Sequence, residues 1–180
     1  MFNDTITLFT FLESSGMWYP HIISGCDCGV AKSATATALS GTTRADTSTL
    51  IIPCSSAKII VTQAGEEKYI SPKEYAKLAN PMGYITFRPE TDFFLLGARD
   101  IKDDNGENGK TFEEPVQTGS DLRITSMFFN YASNEYNQPI SDDDYDSGLY
   151  DYLNSENDDI FMITSAEFFG AIPHFELGGR

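Results

Sequence analysis

The sequence predicts a mainly β protein, a small β-barrel or sandwich of short antiparallel strands with long loops and two short helices. Three observations carry this prediction. Nine short runs gather β-branched and aromatic residues, and each is bounded by Gly, Pro, Asn, Asp or Ser. Only two stretches carry helix-start signals. With 180 residues, 41% of them apolar, the chain is one domain with enough apolar surface to bury a core. No repeat period runs through it.

The runs, in order, are Thr5 to Phe11, Met17 to Ile23, Thr49 to Ile52, Lys58 to Thr62, Tyr84 to Arg88, Asp92 to Leu96, Leu122 to Phe129, Ile160 to Thr164 and Ile172 to Leu177. In the first, Ile6 and Leu8 share one face, expected to pack inward, while Thr5 and Thr7 share the other. The segment ISPKEYAKLANP reads as a helix of about two turns. Ser71 is its N-cap, Pro72 takes the first helical position and Glu74 completes a capping box. Pro81 disfavours helix at Asn80 and ends it. The segment ISDDDYDSGLYDYLNSEN reads as a second, acidic helix, an insertion at about 141–155, in which Ser141 precedes Asp142, Asp143 and Asp144. Acids in a first turn suit the helix dipole, although Gly148 weakens the middle. Two stretches read as loops: Ala34 to Ser48, rich in Ala, Thr and Ser, and the polar insertion at about 98–120, whose length marks it as functional or disordered and which, in a subunit of an assembly, would be an arm toward a neighbour.

Charge narrows the function. Twelve Lys and Arg face 27 Asp and Glu, a net charge of −15, and no Lys or Arg lies between Arg123 and Arg180. Such a surface repels phosphate, so specific binding of nucleic acid through its backbone is not expected. No apolar run is long enough for a membrane helix. The start, MFNDTITLF, lacks the pattern of a secretion signal. Three cysteines make an odd count, which suits free thiols in a reducing compartment.

Motifs for chemistry are few. Cys26, Cys28 and distant Cys54 lack the paired spacing of a zinc site, and two cysteines one residue apart on a strand share a face, so buried thiols are expected. Asp142, Asp144 and Asp146 open like a calcium loop, but Ser147 and Leu153 stand where glycine and a bidentate Glu belong. The DDNGENG segment fails at its first ligand place, Ile101. A nucleophile needs a His and an orienting acid, and the chain has only His21 and His174, no G-x-S-x-G elbow and no phosphate-binding loop. Catalytic residues, cofactors and metals are therefore all expected to be none. The chain closes on ITSAEFFGAIPHFELGGR. There His174 beside Glu167 and Glu176 is either an active site or part of a closing strand that meets a neighbour, and the second reading is preferred.

Four stretches in order resemble the tailed-bacteriophage head-closure, or head-tail joining, proteins often described as minor capsid proteins. They are DTITLFTFLESSGMWYPHIISGCDC, TSTLIIP, TDFFLLGA and ITSAEFFGAIPHFELGGR. Together they make up about a third of the chain. The last looks like that family's final hairpin, with His174, Phe175, Glu176 and Arg180 as candidate interface residues. The resemblance implies a small β-barrel whose copies form a ring that closes the DNA-filled head and joins it to the tail. It further implies contacts with neighbouring connector, adaptor and tail proteins, DNA passing nearby without specific binding, and a place in the virion after synthesis in a bacterial cytoplasm. Other phage structural roles (adaptor, tail terminator, capsid decoration) are the alternatives, and a carbohydrate-binding or glycoside-hydrolysing module is a more distant one. Gly178 and Gly179 are expected to let the end of the chain leave the sheet, with Arg180 frayed or paired to a neighbour's carboxylates.

Overall fold

A computed structural model describes residues 3–32, 34–37, 41–44, 46–96, 139–145, 147–156 and 159–180, the segments 34–37 and 41–44 by their backbone alone. Six strands form a closed antiparallel barrel: β1 (Asp4–Leu12), β2 (Met17–Ala31), β5 (Thr47–Pro53), β9 (Phe93–Leu96), β11 (Ile160–Phe169) and β12 (His174–Gly179). Their order is β1-β9-β11-β12-β5-β2, and β2 pairs back onto β1. Closure gives each of the six strands a partner on both sides over part of its length, which the outermost strands of an open sheet lack.

Alternation along the strands sorts side chains to two faces. Ile6 and Leu8 point inward and pack with Ile23, Leu50, Ile52, Phe94, Phe161, Phe175 and Leu177 as the barrel core. The inward expectation for Ile6 and Leu8 holds. Thr7, on the opposite face, is buried as well. That outer face is covered because Phe9, Trp18, Phe93, Leu95 and Ile160 form a second apolar cluster with Tyr145, Leu149 and Leu153. Burial on both faces explains why β9 reads FFLL, with no polar alternation.

The helix over this outer face corrects the expectation of one continuous acidic helix. Asp142–Asp144 form a single 3-10 turn, and the α-helix, α2, spans Leu149–Glu156. Between them Gly148 takes φ +84°, a left-handed conformation that no right-handed helix can contain. Asp142 still acts at a helix start, but a different one: its Oδ1 accepts the Leu149 N–H at 2.8 Å and the Trp18 indole N–H at 2.8 Å. A short strand, β10 (Ile140–Ser141), pairs with Met17 and Trp18 on β2.

A three-stranded sheet lies beside β2, made of β6 (Ile59–Thr62), β7 (Gly65–Tyr69) and β8 (Tyr84–Ile85). The Gln63 N–H donates to the Ile22 carbonyl at 2.9 Å and ties the β6–β7 turn to the barrel wall. The first helix, α1 (Pro72–Tyr75), starts as expected, with the Glu74 carboxylate accepting from the Ser71 N–H and hydroxyl, but covers a single turn. Those two bonds hold Glu74 below the usual carboxylate range.

Other expectations need correction. Ala34 to Ser48 is not a loop, because β3 (Ala34–Thr37) and β4 (Gly41–Arg44) pair as a hairpin and β5 begins at Thr47. The strand expected over Tyr84 to Arg88 ends at Ile85. The insertion at about 98–120 and the strand expected over Leu122 to Phe129 fall outside the described residues, as does Asp146. The end of the chain does not leave the sheet. Gly178 pairs with Ser165 and Thr49, and Gly179 with Ile163 and Ser48. Arg180 continues the ladder by exchanging two backbone hydrogen bonds with Met162, at 2.9 and 3.1 Å.

Candidate functional site

The principal polar constellation grows from the alternation that builds the core. His21 on β2 lies opposite Leu8, and Thr10 on β1 opposite Tyr19, so His21 and Thr10 share the inward face of adjoining strands. Thr10 Oγ1 is 2.8 Å from His21 Nε2 and 2.8 Å from the Tyr75 hydroxyl, which α1 delivers. On the far side of the imidazole, His21 Nδ1 meets Glu67 Oε2 at 2.7 Å, with Glu67 supplied by β7. A neutral imidazole protonated on Nδ1 satisfies the whole chain: Nδ1–H donates to Glu67, Nε2 accepts from Thr10, and Thr10 accepts from Tyr75. Burial pushes the Tyr75 phenol up, which keeps it a donor.

The order Thr–His–Glu is that of nucleophile, base and orienting acid. Thr10, however, is 0% exposed, and its oxygen is enclosed by His21 and Tyr75. No reacting carbonyl can approach it in this arrangement, so the chain of bonds ties β1, β2, β7 and α1 together. Its outer end is different. His21 (5% exposed) and Glu67 (6%) form the floor of an open pocket of about 110 Å³ walled by Tyr19, Pro20, Pro81 and Met82. The sequence offers no G-x-S-x-G elbow to accompany His21. Its two partners lie 11 and 46 positions away, and Tyr75 joins through Thr10 from 65 positions away, beyond any local motif.

A second buried pair lies where the end of β1 meets the turn before β9. Asp92 is fully buried and accepts from the Arg88 guanidinium (3.2 and 2.9 Å) and from the Arg88 and Phe11 N–H groups (2.9 and 3.2 Å). Arg88 Nη2 also donates to the Phe11 carbonyl. The pair therefore fixes the end of β1 against the turn that enters β9, a structural role with every strong acceptor in use.

The four residues singled out at the end of the chain separate. Phe175 is a core residue, its ring 5.0 Å from Phe87, 4.6 Å from Tyr69 and 5.1 Å from Phe168, and so cannot face a partner. His174 is half-buried, stacked on Phe169 at 4.9 Å with its Nδ1 2.6 Å from the Ile172 carbonyl. Glu176 is exposed and lies directly across from Glu167, and neither carboxylate bonds to His174. The active-site reading of His174 thus has no geometry behind it. Arg180 is exposed, its guanidinium 3.3 Å from the Glu90 carboxylate of the same chain.

Among the described residues no three His, Cys, Asp or Glu side chains converge as a metal would require. Cys26, Cys28 and Cys54 are free thiols that pack in or against the barrel core. Burial pushes Cys26 up to about 12 and Cys28 to about 11, so both stay protonated and unreactive at neutral pH.

No curated protein and no solved structure matches the chain. A family of unknown function, DUF6751, matches it over residues 1–180, and the chain belongs to that family.

Proposed function

We propose that this chain is a non-enzymatic structural subunit of a tailed-phage particle, placed at the head-tail junction, where copies form a ring that closes the filled head and joins it to the tail. The observation that carries this reading is the β11–β12 hairpin. Pairing of β11 with β9 ends at Met162, whereas pairing with β12 continues to Phe169. Among the described residues no strand takes the outer edge of β11 beyond the barrel, and at the tip Ile172 is 77% exposed beside Phe169. An unpaired strand edge with an apolar tip is what a neighbouring subunit can complete by adding backbone hydrogen bonds. The same hairpin presents His174 and Glu176, and the acidic surface suits a wall past which DNA slides. The principal polar constellation is spent on holding strands together, which favours an assembly role over catalysis.

The test is position and copy number. Purified particles carrying this subunit with a label should show it as a ring between head and tail. Label spread over the capsid would replace the proposal with a decoration protein, and absence from the particle would end it.

A further inference from the structure

The pocket above His21 and Glu67 has a composition that selects a ligand class. Glu67 is more than nine-tenths buried, and its Oε2 is held by His21. Its other oxygen, Oε1, has no hydrogen-bond partner among the described residues, yet is not sealed in the core, and Glu67 lines the pocket. The carboxylate oxygen of so buried a side chain, reached through a pocket that offers it no protein donor, is a strong acceptor for a donor that enters. Glu66 adds a second negative charge at the rim, and the lining contains no Lys or Arg. Both nitrogens of His21 are engaged, with Thr10 and Glu67, so the imidazole offers no further acceptor.

We propose that this pocket binds an alkylammonium group, the end of a partner's lysine side chain or of a free alkyl diamine. The ammonium donates to Glu67 Oε1, and its methylenes lie against Pro20, Pro81 and Met82. An anion is repelled by the two carboxylates. A divalent metal finds too few converging ligands. A guanidinium loses its advantage because two-toothed pairing needs both carboxylate oxygens, and one is taken. An ammonium is a point charge and needs only one. The walls supply apolar contact for a stem of a few methylenes, and a pocket of about 110 Å³ accommodates one.

The experiment is a titration of the isotope-labelled full chain, followed by magnetic resonance at the His21 ring and the amides of Ala64, Glu67, Met82 and Gly83. The probe is butylammonium chloride, with sodium chloride at equal ionic strength as reference. A saturable shift confined to these groups is expected, with Kd on the order of millimolar, as suits so small a ligand. Methylammonium should bind several-fold more weakly. Glu67→Gln should weaken butylammonium by about tenfold. Met82 is exposed, so Met82→Ala folds normally and should erase the preference for the longer chain. Blocked lysine binding as well as butylammonium identifies a protein side chain as the source, and diaminobutane binding tighter while blocked lysine is excluded identifies a free amine. Shifts equal to those with sodium chloride, unchanged affinity in both variants, or tighter binding of methylguanidinium would overturn the proposal.

Discussion

Thr10 shows how much of this fold depends on single polar atoms. Its hydroxyl is the hydrogen-bond partner of both His21 Nε2 and the Tyr75 phenol, and all three groups lie out of water. Thr10→Val keeps the shape and removes the oxygen, leaving two buried polar groups unsatisfied. Urea unfolding should show a loss of about 1–3 kcal/mol; a loss under about 0.5 kcal/mol would mean that water replaces the hydroxyl. Cys26 gives a test with a sign. Its thiol rises from the ordinary 9.0 to about 12, so the native state holds its proton more tightly than the unfolded chain does. Its stabilising contribution is whole below pH 9.0 and is lost as pH climbs toward about 12, at up to about 1.4 kcal/mol per unit. Cys26→Ala should therefore flatten the alkaline fall in stability relative to the unaltered chain, and equal slopes would refute the assignment. Little of the site was legible beforehand. His21 is visible in the sequence, but the other groups of its hydrogen-bond chain arrive from β1, β7 and α1, and only the folded barrel with the small sheet beside it brings them together.

At the scale of elements, legibility followed burial pattern. β1, β5, β9 and β12 show runs of apolar β-formers because each buries at least one face, and their expected bounds lie within two residues of the observed ones, whereas β11 runs to Phe169, beyond the expected Thr164, because its second half is exposed. β7 was missed because GEEKY shows charge, although Glu67 points inward to His21. β3 and β4 escape the sequence reading because ATAT and GTTR carry no apolar alternation, and only their antiparallel pairing marks them as strands. The helix start was misplaced because three aspartates suggested a first turn, whereas Gly148 resets the backbone after them. The end of the chain was misread because glycines suggest freedom. Gly179 is glycine for want of space: a Cβ there would lie 2.8 Å from Phe161 Cβ and closer still to Ser48 Oγ. Gly179→Ala should cost about 1–3 kcal/mol by overpacking, whereas Gly170→Ala, whose Cβ would meet only Phe168 at 3.7 Å, should be nearly neutral. Deleting 178–180 should lower the melting temperature of the monomer by several degrees, because it removes ladder partners of β5 and β11 together. An unchanged melting temperature would show that the last rung contributes nothing.

For the molecule as a whole, the deciding quantity is the charge of −15 carried by 180 residues. Like charges on one compact surface repel, and at low ionic strength the repulsion reaches across the domain, because the Debye length is about 30 Å at 0.01 M and about 8 Å at 0.15 M. Raising salt through that range should therefore raise the melting temperature of the isolated chain. The same repulsion acts between copies, and more strongly, because ring formation brings several acidic surfaces together. Assembly of the proposed ring should accordingly be weak at low salt and strengthen as salt screens it, with the mass distribution shifting from monomer toward one closed species. Duplex DNA gives the opposite control. A surface that displaces no counterions from phosphate gains nothing by approaching it, so no binding is expected even at about 0.01 M salt, where a basic protein binds most tightly. Assembly that weakens with salt would mean that oppositely charged patches hold the copies together. Salt-sensitive DNA binding would mean that the basic residues form a patch strong enough to overcome the net charge, and either result would displace the picture of a non-adhesive acidic wall.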